Sequence, residues 1–330
     1  MSESKKLNVN ISEVNMKIPT LHWIPKLHKT PYKSRFIANS VSCTTKPISV
    51  YLTSALSAVR NHIINYSKKV QENNNVNIFW SIKNSSEVIN KIRSSNYNSS
   101  HLSTYDFSTL YTTLPHKLIK DKLTSLIEIT FAREKCTYIA LNAKTAFFTN
   151  QILDNYTTWT CSDFCSALNF LLDNLFIKFN GKLFKQMVGI PMGTNCAPLI
   201  ADLFLFCYER DFMLNLSKSN QIDLIQKFNR TSRYIDDILN MDNPYFEQYI
   251  HAIYPKELIL NKSNVSSTDV SFLDLHLTLN NNVLKTSLYD KRDDFSFDIV
   301  NFPHLDGNIP KGPSYGTYIS QLVRFARICS

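Results

Sequence analysis

The chain has 330 residues, 44% hydrophobic and 12% aromatic, with 36 Lys and Arg against 27 Asp and Glu. This composition excludes a disordered chain, and no stretch of about 18 apolar residues indicates a membrane span. The N-terminus MSESKKLNVN lacks the apolar run and cleavage site of a secretory leader, which predicts an intracellular protein, nuclear or cytoplasmic, with no membrane partner.

Seven scattered cysteines, an odd number, read as free thiols. Cys161 and Cys165 share a helix face, but no second Cys/His pair completes a zinc site. There is no Gly-x-Gly-x-x-Gly and no Gly-Lys-Ser/Thr loop, which argues against dinucleotide-binding and P-loop chemistry. The positive charge is concentrated. Residues 1–100 carry 14 basic and 4 acidic residues, residues 101–210 carry 10 and 9, and residues 211–330 carry 12 and 14. A basic first third suits a polyanionic partner, most often nucleic acid, or a solvated basic surface.

In chain order, residues 1–17 are polar and read as frayed. From Ile18 to Ser49 the text is basic and punctuated by Pro19, Pro25, Pro31 and Pro47, which predicts short extended segments joined by turns. Val50, Leu52, Leu56, Val59 and Ile63 recur at helical spacing over 49–70, and a short helix follows over 85–95. LSTYDFSTL (102–110) has strand composition. Helical periodicity returns after Pro115 and again over 162–174. LFIKFNGKLFKQ (175–186) reads as a hairpin across Asn180-Gly181.

GIPMG is a loop feeding a strongly apolar helix, and TSRYIDDILNM (231–241) is a second hairpin with Asp236-Asp237 at or beside its turn. A helix over 245–253, a strand over 257–261, and a strand pair at 271–279 and 283–290 complete the pattern. SYGTYISQLVRFARICS then begins a further helix. Strands and helices in this order describe an antiparallel sheet backed by helices, an α+β layout.

Two features carry chemistry. Asp236 and Asp237 at a β-turn, with Asp106 ending another strand, form a carboxylate set suited to hard divalent cations. Such a set can clamp the attacking and leaving oxygens of a phosphoryl transfer through two metals; an ordinary Asp-rich turn is the plain alternative. The second feature is Gly189 and Gly193. In a chain with six glycines and none before Gly181, two so close together imply a tight loop or a close approach of backbone to ligand. The helix N-terminus that follows favours anions.

DFSTLY, GIPMGTNCAPLIADLF and RYIDDIL, in this order, resemble motifs A, B and C of reverse transcriptases. With IPKLHKTP…RFI upstream and SFLDL downstream, the wording is most similar to Penelope-like retroelements, from about Ile18 to the C-terminus. The resemblance implies a right-hand polymerase. Its fingers would span 18–100 and its palm 101–300, with a fingers insertion at about 114–186 and the start of a truncated thumb at 301–330.

The resemblance also implies an RNA-directed DNA polymerase of a retrotransposable element, acting on an RNA template, a DNA primer and dNTPs. Asp106 and Asp236, with Asp237 as a weaker or outer ligand, would bind two Mg²⁺ ions, or Mn²⁺ in their place. Tyr111 would be a steric gate against ribonucleotides, and Met192 and Gly193 would line the incoming-nucleotide site. Lys26 and Arg35 would hold the triphosphate. Lys262 would be the general acid to pyrophosphate, and Phe272 and Leu273 would belong to the primer grip.

Three departures stand out. Met192 replaces the Gln common before the motif B glycine, the thumb stops within its first helix, and no GIY-YIG endonuclease or RNase H pattern is present. They leave a catalytically inactive nucleic-acid-binding remnant as an alternative. An RNA-dependent RNA polymerase is a third reading, against which Tyr111 argues.

Overall fold

The structure is a computed structural model that describes residues 7, 9, 17–26, 33–94, 99–299 and 304–328. The chain opens on β1 (Thr20–Lys26) and β2 (Lys33–Asn39), followed by α1 (Lys46–Asn74), α2 (Ser85–Ser94), β3 (Leu102–Phe107), the single turn α3 (Leu110–Thr113) and α4 (His116–Glu134). Three short strands, β4 (Tyr138–Leu141), β5 (Ala146–Thr149) and β6 (Thr157–Thr160), precede α5 (Cys161–Asp173). Next come β7 (Phe176–Phe179), β8 (Lys182–Lys185), α6 (Ala197–Lys218), α7 (Ile222–Phe228), β9 (Thr231–Tyr234), β10 (Asp237–Met241) and α8 (Phe246–Ile253). The remainder is β11 (Leu260–Lys262), β12 (Asp269–Phe272), β13 (Leu275–Asn280), β14 (Val283–Leu288) and α9 (Lys311–Ile328).

The strands form four sheets, ordered β2-β1-β7-β8, β11-β3-β10-β9, β12-β13-β14 and β5-β4-β6. The second is antiparallel throughout and is backed by helices, as the α+β layout requires. Alternation along β3 explains the layering. Tyr105 and Phe107 enter the main core, where Tyr105 lies 4.9 Å from Phe246 of α8 and Phe107 lies 4.9 Å from Tyr254, centroid to centroid. Asp106, between them, projects to the opposite, open face. On β10, Ile238 is paired with Tyr105 and buried in the same core, so Asp237 shares the open face with Asp106.

A second, smaller core joins Leu102, Leu239 and Met241 of this sheet to Phe272, Leu275 and Leu277 of the β12-β13-β14 sheet. Among the described residues, no helix is long and apolar enough to cross a membrane.

Several local expectations shift. Leu7 and Val9 are buried in the main core, and Trp159 Nε1 donates to the Leu7 carbonyl at 2.8 Å. The stretch expected to fray is therefore anchored at those two points, and its other residues before Lys17 lie outside the described set. SFLDL is not one strand: Leu273, at φ +57°, breaks it into a turn between β12 and β13. LSTYDFSTL stops at Phe107, because Thr109 takes φ +56° and starts α3. The last helix, α9, begins at Lys311, three residues before the expected start at Ser314, and so takes in Gly312. The sheet of β4, β5 and β6 is an addition to the expected elements.

Candidate active site

Two hairpin strands and one neighbour build the acidic site. β9 and β10 are joined by a two-residue turn, Ile235-Asp236, and Asp237 is the first residue of β10. Across the next ladder Asp237 pairs directly with Asp106. Directly opposed residues hold their Cβ atoms about 5 Å apart, so these two carboxylates emerge side by side. The Phe107 N–H donates to the Asp236 carbonyl at 3.1 Å, which ties the turn to the end of β3. Asp106, Asp236 and Asp237 are all partly exposed.

The three acids are oxygen donors on adjacent strand ends, a donor set whose chemistry fits Mg²⁺. Among the described residues, no group of three or more His, Cys, Asp or Glu side chains converges closely enough to hold a metal ion as placed. The backbone brings the acids together, and side-chain rotation would have to close the set.

Arg233, absent from the sequence reading, anchors the turn from behind. Its side chain is fully buried. Nε donates to Glu209 Oε1 at 2.5 Å and Nη2 to Glu209 Oε2 at 3.1 Å. Nη1 donates to Asp202 Oδ1 at 3.0 Å and to the Ile235 carbonyl at 3.1 Å. Asp202 also accepts from Arg60 Nε at 3.0 Å, and the Tyr254 hydroxyl donates to Glu209 at 2.8 Å. This network links α1, α6 and β9 beneath the acids.

Burial alone would push the Asp202 carboxyl up. The Arg233 charge, the Ser81 hydroxyl and Arg60 outweigh it and hold the group below its ordinary value. The sequence signals are Asp202 within the apolar first half of α6, Glu209 at the start of its charged second half, and an Arg inside a strand.

Ile235 itself sits at φ +52°. A β-branched residue in that region costs about 1–2 kcal/mol, so the turn is held by its partners and not by its own preference.

The Gly189–Gly193 loop packs between this site and the first sheet. Gly189 has φ +81°, and its N–H donates to the Leu114 carbonyl at 2.8 Å, while the Ile190 N–H donates to the Tyr111 carbonyl at 2.7 Å. On the other side the Ala38 N–H, at the end of β2, donates to the Met192 carbonyl at 2.8 Å, and Ser40 Oγ donates to the Gly193 carbonyl. The loop is thus moored by its main chain to both α3 and β2.

Tyr111, half-buried, faces this site. Burial, then the charges of Asp236 and Asp202 and neighbouring Tyr234, push its hydroxyl up to about 12. Tyr111 and Asp236 are therefore electrostatic neighbours, and the phenol stays neutral at physiological pH.

The other expected residues divide. Arg35 lies opposite Ile24, two residues along from the Lys26–Lys33 pair, so Lys26, Lys33 and Arg35 share one side of the β1-β2 hairpin. Lys262 pairs with Tyr105, while its neighbour Asn261 pairs with Asp106. Lys262 thus points to the helix side, where Nζ lies 3.8 Å from Glu247 of α8, and the structure does not bring it to the carboxylates. Phe272 is buried in the second core, where it packs, and Leu273 is half-buried at the turn beside it.

No protein-family model matches the sequence, and no curated protein does. Solved structures do. Telomerase from Candida albicans, in complex with a TWJ fragment of telomeric RNA, superposes with TM-score 0.53 at 14% identity over 89% of this chain. Apo telomerase from Candida tropicalis, truncated from its C-terminal domain, gives 0.51 at 12% over 87%. The chain has a reverse-transcriptase-like fold. It spans 51% and 58% of the length of those two telomerase chains. At this identity the likeness is one of fold.

Proposed function

We propose that this chain is the fingers-and-palm core of an RNA-directed DNA polymerase from a Penelope-like retroelement. The observation that carries the reading is the register: Asp237 opposite Asp106, with Asp236 in the adjoining turn, beside a glycine loop moored to the first sheet.

Asp106, Asp236 and Asp237 would hold two Mg²⁺ ions. When bound, such ions lower the charge barrier for attack of a primer 3′-oxygen on the α-phosphate and for departure of pyrophosphate. The chain's own residues position the reactants. Lys26 and Arg35 grip the triphosphate, with Arg supplying a planar fork that matches phosphate oxygens. Met192 and Gly193 present main chain to the incoming nucleotide. Tyr111, neutral and wedged beside Asp236, acts by its bulk, excluding a 2′-hydroxyl. Arg233 holds the turn that aims Asp236.

The test is Mg²⁺-dependent dNTP incorporation on an RNA template with a DNA primer. Asp236→Asn is expected to lower incorporation at least about 100-fold, the scale of losing a main electrostatic element of a site. Incorporation at the parental rate overturns the assignment.

One observation favours a second reading, a nucleic-acid-binding remnant without catalysis: the acids do not converge as placed. Salt-dependent binding of primer–template with no extension at any protein concentration would establish it.

A further inference from the structure

The stretch 79–83 runs alongside β9. The Arg233 N–H donates to the Trp80 carbonyl, and the Ile82 N–H donates to the Arg233 carbonyl, each at 2.8 Å. Where this stretch passes between α1 and α2, a cleft of about 350 Å³ opens. Its lining includes none of the three acids, the glycine loop or the β1-β2 cations.

Charge in the cleft is one-sided. Arg60, Lys68, Lys83 and Lys91 line it against one acid, Glu87. Arg60 is committed to Asp202, 3.0 Å away. Glu87 is committed to the start of α2, where it accepts from the Lys83 N–H at 3.3 Å. Lys68 and Lys83 are exposed and form no ion pair among the described residues. Lys91 is half-buried and donates to Ser232 Oγ at 2.9 Å. Burial pushes its ammonium down, and the Glu87 charge opposes this.

A hydroxyl supplies the second observation. Arg60, Ile64, Ser67 and Gln71 recur at the spacing of one helix face and line the cleft together. Ser67 is 5% exposed, and its Oγ has no hydrogen-bond partner. A buried donor left unmade costs free energy, which an oxygen of a bound ligand relieves. Beside these groups, Ile64, Phe79 and Ile82 form an apolar wall. The volume exceeds that of a bare phosphate and reaches the range of small-molecule sites, about 300–1,000 Å³.

We propose that this cleft binds a small organic phosphate monoester. Lys68, Lys83, Lys91 and the Ser67 hydroxyl hold its dianionic group, and Ile64, Phe79 and Ile82 take its organic part. Compact ammonium charges with rotatable donors suit a terminal phosphate. A nucleic-acid backbone suits the cleft less well, because its internal phosphates are monoanionic diesters and Ser67 is reached only by a terminal group. The assignment uses no residue of the acidic site and stands apart from the polymerase reading.

The test titrates the full chain with phenyl phosphate by calorimetry. Inorganic phosphate, methyl phenyl phosphate as a diester, and a short single-stranded RNA without terminal phosphates run beside it. Phenyl phosphate is expected to saturate and to bind more tightly than inorganic phosphate or the diester. Lys68→Ala and Lys83→Ala should each weaken it about 10-fold, the scale of a charge-assisted hydrogen bond. Ser67→Ala should also weaken it, yet leave the urea midpoint level or higher, since an unpartnered buried hydroxyl is removed. Lys26→Ala, on the β1-β2 hairpin, should bind as the parent does.

No saturable binding, parental affinity in the Lys68 and Lys83 variants, or loss in Lys26→Ala instead overturns the assignment. So does inorganic phosphate or the diester binding as tightly as phenyl phosphate. RNA that displaces phenyl phosphate also overturns it, making the cleft a backbone contact.

Discussion

At Gly193 a Cβ would run into the Ala38 carbonyl oxygen, and at Gly189 into the Tyr111 carbonyl, with Thr112 Cα only 2.7 Å away. The obstacles are main chain in both cases and cannot swing aside, and both glycines have positive φ. Gly189→Ala and Gly193→Ala are therefore expected to cost about 2 kcal/mol or more each, read as a lower urea midpoint with unchanged slope. Gly181→Ala, at φ +75° but with nothing near its Cβ, pays only the backbone term and should lose less. Loss in the order Gly181 below Gly189 and Gly193 would show that crowding, not conformation alone, explains the two loop glycines. The scarcity of glycine in the sequence pointed to this loop; the two surfaces it touches were not legible, because both lie far away along the chain.

The β9-β10 hairpin is held by the Arg233 network. Arg233→Met leaves Asp202 and Glu209 buried without their main cation, and removing one partner of such a set costs about 3–5 kcal/mol. The network also has a pH signature. Asp202 is held below its ordinary value of 3.8, so its stabilisation is complete above that value and is lost as pH falls through the lower folded value. Arg60→Met removes part of the cause. The stability gap between parent and Arg60→Met is expected to be widest near neutral pH and to narrow below about pH 4, as measured by urea unfolding across pH.

Much at this scale was readable in advance. The helices after Pro115 and over 162–174 match α4 and α5 to within a residue, and Asn180-Gly181 makes its turn with both residues at positive φ. The acidic hairpin was readable, but not which residues turn, since Ile235 at φ +52° contradicts turn chemistry and only the distant Arg233 explains it. The sheet of β4, β5 and β6 went unread because its three strands have four residues each, too few for a period to show.

Over the whole molecule, the excess charge of the first hundred residues lies partly on the β1-β2 hairpin, and β8 and β7 add Lys178, Lys182 and Lys185 to the same sheet. Binding of primer–template should therefore be steeply salt-dependent. Each cation that meets a phosphate contributes about 0.7–0.9 to the slope of log affinity against log salt. Lys33→Ala and Lys178→Ala are each expected to lower that slope by about this amount with little change in unfolding midpoint, since both side chains are exposed. An unchanged slope would remove them from the interface. At the far end, Arg324 of α9 reaches Asp274 in the β12-β13 turn at 3.0 Å, so the last helix is seated on the small sheet by an ion pair as well as by Ile328.

The mooring of the glycine loop has an evolutionary corollary. Met192 is fastened to β2 through its carbonyl, and a carbonyl is common to all twenty residue types. Lineages can thus exchange Met for Gln at this position without disturbing the loop's attachment, whereas the glycines on either side, hemmed in by peptide groups, are barred from drifting.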